Sequence, residues 1–299
     1  MLPPLIATPT NIIHLPPLGG IFLGYNWDMK YEAGPTLSLP KIGFGTWKIG
    51  GNSSPNHSLD SKSLTALRTA LEVGYTHFDT AEMYADGHAE ELIGEAVRKS
   101  GRKRDEIIIT SKVMPENLKF DDVLRACNRS LRHLGMEYID VYLIHWPRAG
   151  WKYDETFRAL NKLVRDGKVR HLGVSNFNLK LLEQARTHSE APIVANQIPY
   201  SLADRSYVTN GVIEYCRQKD ILVMAYEPVN KGNLHSNKTM EAIARAHNAT
   251  IFQIALAWLV AQPRVVTIPM SFNPRHIQEN FEAADIELTK DEMDLLDGK

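Results

Sequence analysis

A repeated alternation of short apolar segments and amphipathic segments is the feature that most constrains how this chain can fold. From Thr36 onward, each short run rich in Ile and Val is followed by a segment whose apolar residues recur at helical spacing. Strands that are apolar on both faces are typical of sheets covered by helices on both sides. The alternation therefore predicts a parallel sheet whose strands are joined by crossover helices.

Eight segments have the strand pattern, and a (β/α)8 barrel has eight strands. They are KIGFGTW, THFDT, EIIITSK, IDVYLIH, VRHLGVS, PIVANQ, ILVMAYE and VVTIP. A doubly wound open sheet would also alternate, but it usually carries GxGxxG after its first strand. Here that position reads GFGTWKIGG, which lacks the third glycine at the required step. We therefore predict an α/β protein with a single (β/α)8 TIM barrel of about 260 residues.

Further elements are expected at both ends of the barrel. The segments LSLP and KIGF, around Leu39 and Pro40, predict a small N-terminal β-hairpin that closes the barrel bottom. Two consecutive helical patterns, MEAIARAHNA and TIFQIALAWLVAQ, follow the seventh strand, so one of them is extra. A final helix, TKDEMDLLDGK, begins after Thr289 as its N-cap.

The first 28 residues differ from the rest of the chain because they are apolar, rich in proline and almost uncharged. Prolines interrupt the apolar run and no Lys or Arg precedes it, which disfavours a secretory signal peptide. The sequence from Met29 reads as a complete domain, so Met29 is an alternative start. We predict an N-terminal extension of unknown role over 1–28 and a single barrel domain over 29–299.

Composition excludes several function classes. Lys and Arg total 34 against 35 Asp and Glu, so the formal charge of -1 creates no field for nucleic acid or an anionic membrane surface. No apolar run approaches the roughly 18 to 20 residues needed to span a bilayer. Cys127 and Cys216 show neither CxxC spacing nor a disulfide framework, so we expect a cytoplasmic protein.

Ionisable side chains end three consecutive predicted strands. Asp79, Lys112 and His145 follow the apolar runs of the second, third and fourth strands, and Tyr84 lies five residues after Asp79. In such barrels the chemistry sits where the strands end, and a charge placed there must be paired or change its pKa. We expect Asp79 to hold Lys112, Lys112 to lower the pKa of Tyr84, and His145 to orient a carbonyl oxygen.

These residues resemble the aldo-keto reductase family, and the resemblance runs from about Thr36 to the C-terminus. HFDTAEMY carries the family's Asp and Tyr as Asp79 and Tyr84, TSKV carries its Lys as Lys112, and IHWP carries its His as His145. The resemblance implies NAD(P)H-dependent reduction of an aldehyde or ketone to the alcohol, with the proton coming from Tyr84. It implies a prokaryotic-type member with short loops.

The resemblance also implies a nicotinamide cofactor, which supplies a hydride that no side chain can provide. Ser175 and Asn176 in GVSNF and Gln197 in ANQ match the residues that hold the carboxamide, and Tyr226 matches the aromatic ring that stacks on the nicotinamide. The resemblance places Thr46 and Trp47 in GTWK in the same cofactor-binding set.

The segment after the eighth strand departs from the family pattern. It reads IPMSFNPRHIQEN, with Met270 where the family usually has Lys and His276 where it usually has Arg. Ser271, Arg275, His276 and helix N-terminal amides remain to hold a phosphate, and Glu279 and Asn280 suit the adenine edge. We therefore favour NADP(H) modestly, with NAD(H) or dual use as the alternative.

The resemblance places aromatic side chains around the substrate, here Trp47 and Trp146, with Trp151 as a further wall. Short loops predict an open pocket for small aldehydes, dicarbonyls or sugar-derived carbonyls. A Schiff-base aldolase based on Lys112 would leave the SNF segment without a role. A metal-dependent hydrolase is disfavoured because no cluster of three metal ligands is visible, and no metal is expected. A redox-sensing regulatory protein without turnover remains the alternative function. The sequence shows no interface that would indicate an oligomeric state.

Overall fold

The structure is a computed structural model that describes residues 30–234 and 238–298. Its strands are, in chain order, β1 (Tyr31–Ala33), β2 (Ser38–Pro40), β3 (Phe44–Gly45), β4 (His77–Asp79), β5 (Ile108–Val113), β6 (Ile139–Ile144), β7 (Val169–Ser175), β8 (Ile193–Pro199), β9 (Leu222–Tyr226) and β10 (Val265–Thr267). Strands β3 to β10 form one parallel sheet in which each strand pairs with its neighbour in sequence.

Hydrogen bonds between the two outer strands close this sheet into a barrel. Ile42 forms a parallel bridge with Thr267. The amide of Gly43 donates to the carbonyl of Thr267 at 2.8 Å, and the amide of Thr267 donates to the carbonyl of Lys41 at 2.8 Å. The predicted (β/α)8 barrel is confirmed.

Helices connect the strands around the outside of the barrel. They are α1 (Asp60–Val73), α2 (His88–Ser100), α3 (Phe120–Leu134), α4 (Asp154–Arg165), α5 (Leu179–His188), α6 (Ser206–Thr209), α7 (Val212–Gln218), α8 (Lys238–Ala246), α9 (Ile251–Ala261), α10 (Pro274–Glu282) and α11 (Lys290–Asp297). Both α8 and α9 lie between β9 and β10, which confirms the extra helix. Thr289 caps α11 by accepting a hydrogen bond from the amide of Glu292 at 3.2 Å.

The N-terminal hairpin is present, but its predicted pairing is wrong. Strand β1 pairs antiparallel with β2, and Glu32 lies opposite Leu39. The amide of Gly34 donates to the carbonyl of Leu37 at 2.7 Å and closes the tight turn between these strands. LSLP cannot pair with KIGF because the two segments are contiguous and leave no residues for a chain reversal. KIGF instead begins the barrel with β3.

The hairpin helps to fill the barrel interior. Leu39 is fully buried against Val141, Leu143 and Leu222, which line the inside of the barrel. Strands β5 and β6 are buried along their whole length, as expected of strands covered on both faces. A packed interior leaves the strand ends as the place for polar side chains.

Three further expectations concern the N-terminal segment, membrane spans and the two cysteines. The expectations for 1–28, and for Met29 as a start, lie outside the described residues. Over the described ranges, no helix combines the length and apolar character needed to cross a bilayer. Cys127 and Cys216 are free and buried, and burial raises the pKa of each thiol to about 12.

Candidate active site

The barrel brings the four predicted catalytic side chains together at the carboxyl ends of its strands. Asp79 ends β4, Lys112 lies next to the end of β5, and His145 directly follows β6. Tyr84 begins the single turn Tyr84–Gly87 that leads into α2. Successive parallel strands place their ends side by side, so residues far apart in sequence meet here.

The ammonium group of Lys112 forms the centre of this cluster. Its Nζ donates hydrogen bonds to Asp79 Oδ2 at 2.8 Å, to the carbonyl of Thr80 at 2.8 Å and to the hydroxyl oxygen of Tyr84 at 3.2 Å. An ammonium has three N–H donors, and these three acceptors match them. The buried charge is therefore both paired and fully hydrogen-bonded, as burial of a charge requires.

The pKa of Tyr84 does not shift in the predicted direction. Burial raises the pKa of the Tyr84 hydroxyl, and the opposing effect of Lys112 offsets only part of that rise. Burial also opposes the charged form of Lys112, but Asp79 and Tyr84 outweigh it and raise the pKa of Lys112. At neutral pH, Tyr84 is consequently a phenol and Lys112 an ammonium.

His145 lies next to Tyr84 and is held neutral. The two rings meet edge to face, with centroids 5.8 Å apart. Burial and the positive charge of Lys112 together hold the pKa of His145 well below its usual value. Its Nδ1 atom is buried without a hydrogen-bond partner. A neutral imidazole in this position can hydrogen-bond to a polar ligand without competing for the proton of Tyr84.

A group of amide and hydroxyl side chains continues the cluster along the next strands. Ser175 Oγ donates to the carbonyl of Gln197 at 2.9 Å and accepts from Asn176 Nδ2 at 3.0 Å. Tyr226 donates through its hydroxyl to Asn176 Oδ1 at 2.9 Å. Asn176 adopts a φ of 63°, in the left-handed region where Asn is well tolerated. The four predicted carboxamide and ring-binding residues thus form one connected network.

Gln197 joins this network to the charged cluster. Its Nε2 donates to Asp79 Oδ1 at 2.7 Å, while Lys112 occupies the other oxygen of the same carboxylate. Asp79 is therefore held at both oxygens by groups from different strands. A carboxylate fixed in this way holds the Lys112 ammonium, and through it the Tyr84 hydroxyl, in one position.

A cavity of about 570 Å³ opens over these groups. Asp79, Tyr84 and His145 line it together with Ser175, Asn176, Gln197 and Tyr226. Three further predicted residues, Thr46, Trp47 and Trp146, also line it, and both indoles are partly exposed. The segment after β10 also contributes to the wall, through the residues predicted to bind the phosphate and the adenine: Met270, Ser271, His276, Glu279 and Asn280.

Three predicted residues do not line the cavity: Lys112, which is fully buried behind Asp79 and Tyr84, and Arg275 and Trp151. The Arg275 side chain is 79% exposed, and its Nε donates to Glu279 Oε1 at 2.7 Å. Trp151 instead donates from Nε1 to Thr156 Oγ1 at 2.9 Å and lies beneath the guanidinium of Arg148. Arg275 and Trp151 are thus each held by residues that are close to them in sequence.

Sequence reasoning missed three charged residues on the cavity wall. Lys48 and Lys231 place their ammonium groups 5.2 and 5.5 Å from the centre of the Trp47 ring, and Glu227 pairs with Lys231 at 3.0 Å. All three have a positive φ, between 51° and 83°, which turns the chain at the cavity edge. No local sequence pattern indicates a positive φ at Lys or Glu, so the positions of these three side chains could be seen only in the folded structure.

Comparisons with known proteins agree with this geometry. The family model described as the aldo/keto reductase family matches residues 41–299. A methylglyoxal reductase of Escherichia coli is 35% identical over 267 residues, which cover 87% of this chain and 91% of that protein.

Solved structures give the same result. A thermostable aldo-keto reductase in complex with the inhibitor epalrestat shares 43% identity, with a TM-score of 0.87, covering 90% of this chain and 99% of that one. An aldo/keto reductase of Klebsiella pneumoniae in complex with NADP and acetate shares 36% identity, with a TM-score of 0.79. The match covers 89% of this chain and 93% of that one. The chain therefore belongs to the aldo/keto reductase family.

Proposed function

We propose that this protein reduces small aldehydes and α-dicarbonyl compounds to alcohols with NADPH, and that Tyr84 donates the proton. One observation carries the proposal: a buried Lys112 donates to the Tyr84 hydroxyl oxygen at 3.2 Å and is itself held by Asp79. Such an arrangement keeps the phenol in place and stabilises the phenolate that remains after its proton has left.

The residues along the cavity suit a dinucleotide. The amide groups of Asn176 and Gln197 and the ring of Tyr226 lie near the proton donor, and they suit a nicotinamide carboxamide and its ring. Lys48 and Lys231 line the same cavity and provide positive charge, which suits a diphosphate. Ser271 and the start of α10 provide a hydroxyl and helix N-terminal amides at the far side.

When bound, the nicotinamide supplies the hydride. The side chains of the protein perform the remaining steps. Tyr84 gives its proton to the carbonyl oxygen, and the phenolate that forms accepts a stronger hydrogen bond from Lys112. Neutral His145 orients the carbonyl oxygen toward Tyr84. Asp79 and Gln197 hold Lys112 in position throughout.

NADP(H) is the cofactor we favour, although both usual cations for its extra phosphate are replaced. Met270 and His276 stand in their places and line the cavity. Lys62 on α1 places its ammonium 4.6 Å from the centre of the Phe272 ring, close to this end of the site. The bound NADP in the Klebsiella pneumoniae relative supports the same choice.

The exposure of two tryptophans on the cavity wall, together with the relatives, supports the substrate class. Trp47 and Trp146 are 42% and 45% exposed, so the space over Tyr84 is open rather than tightly enclosed. An open apolar rim accepts small carbonyl compounds of varied shape. The methylglyoxal reductase of Escherichia coli supports the dicarbonyl class. Two buried, free thiols support a reducing compartment such as the cytoplasm.

Cofactor binding and turnover together test this proposal. Quenching of tryptophan fluorescence measures the binding of NADPH and NADH, and loss of absorbance at the nicotinamide wavelength measures oxidation with methylglyoxal, glyoxal and simple aldehydes. We expect saturable NADPH binding and turnover with at least one dicarbonyl. Binding without turnover across the panel would instead support a redox-sensing protein, and absence of binding would reject both functions.

A further inference from the structure

A second group of potential ligands lies outside the active-site cavity. His57 precedes α1, Asp60 is the first residue of α1, and His88 is the first residue of α2. One ligand atom from each of the three lies within 4.8 Å of the others. The cluster is not evident from the sequence because His88 is 28 residues away from Asp60, and only the packing of α1 against α2 brings them together.

The Asp60 carboxylate lies between the two imidazoles. Its Oδ2 is 3.2 Å from His57 Nδ1, and its Oδ1 is 2.8 Å from His88 Nε2. The two rings meet edge to face, with centroids 4.6 Å apart. Two ligands of a tetrahedral zinc ion with bonds near 2.1 Å are about 3.4 Å apart. Small side-chain rotations therefore bring all three atoms to bonding distance from one ion.

Glu91 determines how His88 can be protonated. Its Oε2 is 2.8 Å from His88 Nδ1, on the opposite side of the ring from Asp60. Both distances are those of ordinary hydrogen bonds, with the His88 ring donating to Glu91 on one side and to Asp60 on the other. A metal ion on Nε2 would replace the proton shared with Asp60 once these two atoms move apart to about 3.4 Å, and Glu91 would continue to accept from Nδ1. In zinc sites, the ring nitrogen of a histidine ligand that does not bind the metal often donates a hydrogen bond to a carboxylate.

Exposure of the three residues gives the cluster a closed side and an open side. The His88 side chain is 9% exposed and Asp60 is 29% exposed, while His57 is 74% exposed. On the closed side, Gly50 packs so tightly that an added Cβ would lie 2.8 Å from the His88 ring. The open side allows an ion to enter and leaves room for a water molecule as fourth ligand.

We propose that His57, Asp60 and His88 form a zinc-binding site that ties the loop after β3 to the start of α2. None of the three belongs to the described residues that line the active-site cavity, so the site is spatially separate from that cavity. Two imidazole nitrogens with one carboxylate favour zinc or a similar transition metal over Mg²⁺ and Ca²⁺, which prefer oxygen ligands.

The position of the site implies a structural role. The loop after β3 carries Trp47 and Lys48, and the carbonyl of Asn52 accepts a hydrogen bond from the amide of Ala85 at 2.7 Å. Ala85 directly follows Tyr84. An ion held by both segments would strengthen this contact and raise the melting temperature of the folded protein, because binding to the folded state alone stabilises it.

Zinc titration of the full-length protein, first treated with a chelator, tests the proposal. We expect isothermal titration calorimetry to show a single saturable equivalent of Zn²⁺. At a pH near the histidine pKa, zinc binding should release a proton. Co²⁺ in the same site should give the visible absorption of a tetrahedral complex. His57→Gln and Asp60→Asn should abolish this binding, and Glu91→Gln should weaken it by about 10- to 100-fold.

His188→Gln is the matched control, because His188 is an exposed histidine on α5. It should bind zinc as the unaltered protein does. Circular dichroism establishes that each variant is folded, and His57, being mostly exposed, is the variant least able to disturb the core. Zinc binding that survives both His57→Gln and Asp60→Asn, or the absence of saturable binding to the unaltered protein, would overturn the proposal.

Discussion

Lys112 Nζ lies 2.8 Å from Asp79 Oδ2, and the two side chains are only 0% and 2% exposed to solvent. A pair at this depth differs from an ion pair on the surface because each charge depends on the other for its solvation. Removing one partner from a buried pair leaves an uncompensated charge, whereas removing both leaves none. The same pair therefore supports the fold and holds the Tyr84 hydroxyl in place.

Lys112→Met should lower the free energy of unfolding by about 3–5 kcal/mol, because Asp79 would remain buried without its partner. The double variant Asp79→Asn/Lys112→Met should recover part of this loss, since no unpaired charge remains. Urea denaturation measures both. Lys162→Met is the control, because Lys162 pairs with Asp166 at an exposed position. That substitution should cost about 0–1 kcal/mol. Equal losses at Lys112 and Lys162 would contradict the argument.

Tyr84→Phe should reduce kcat for carbonyl reduction by at least about 100- to 10,000-fold, the usual contribution of a general acid. Phe retains the ring that packs edge to face on His145, so the fold and the NADPH affinity should not change. Steady-state kinetics and fluorescence quenching measure the two quantities separately.

Tyr207→Phe removes a hydroxyl from a partly buried tyrosine that does not line the cavity, and it should leave kcat unchanged. A Tyr84→Phe variant that retained normal turnover would show that another group supplies the proton.

The cluster of Asp79, Lys112 and His145 could be predicted from the sequence because strand ends can be recognised from local patterns. Asp79, Lys112 and His145 each follow an apolar run, and the barrel topology then requires their ends to meet. The direction of the Tyr84 pKa shift was not accessible in this way. It depends on how deeply the hydroxyl is buried, and that depth is a property of the packed cavity rather than of the segment.

Other features depended on tertiary structure for the same reason. Lys48 and Lys231 reach one indole ring from loops that are far apart in sequence. His57 and His88 meet only because α1 and α2 pack together. The predicted hairpin pairing is wrong for a simpler reason, because the chain reverses at the turn between Gly34 and Leu37, before LSLP, and does not reverse after it.

The rate of carbonyl reduction should remain level across the pH range in which histidine ordinarily titrates, around 6.5. The pKa of His145 lies well below that range, so His145 stays neutral through it. Burial raises the pKa of Tyr84, so its proton is present until well into alkaline pH, and the rate should fall only as pH rises through that raised value. Measurement of kcat/KM against pH tests both statements. An inflection near pH 6.5 that disappears in His145→Gln would refute the assignment of a neutral His145.

Met270→Lys should improve the affinity for NADPH relative to NADH. The side chain at 270 lines the cavity beside Ser271 and near His276, where the phosphate that distinguishes the two cofactors is expected. A hydrogen bond to a charged group contributes about 1.5–3 kcal/mol, so the ratio of the two dissociation constants should change by roughly 10- to 100-fold. Fluorescence titration with each cofactor measures the ratio. Met270→Leu is the control, because it alters the shape of the side chain without adding charge and should leave the ratio as it is. If Met270→Lys changes the ratio no more than Met270→Leu does, other groups already neutralise the phosphate. Lys62, whose ammonium group lies beside Phe272, would then be the first residue to substitute.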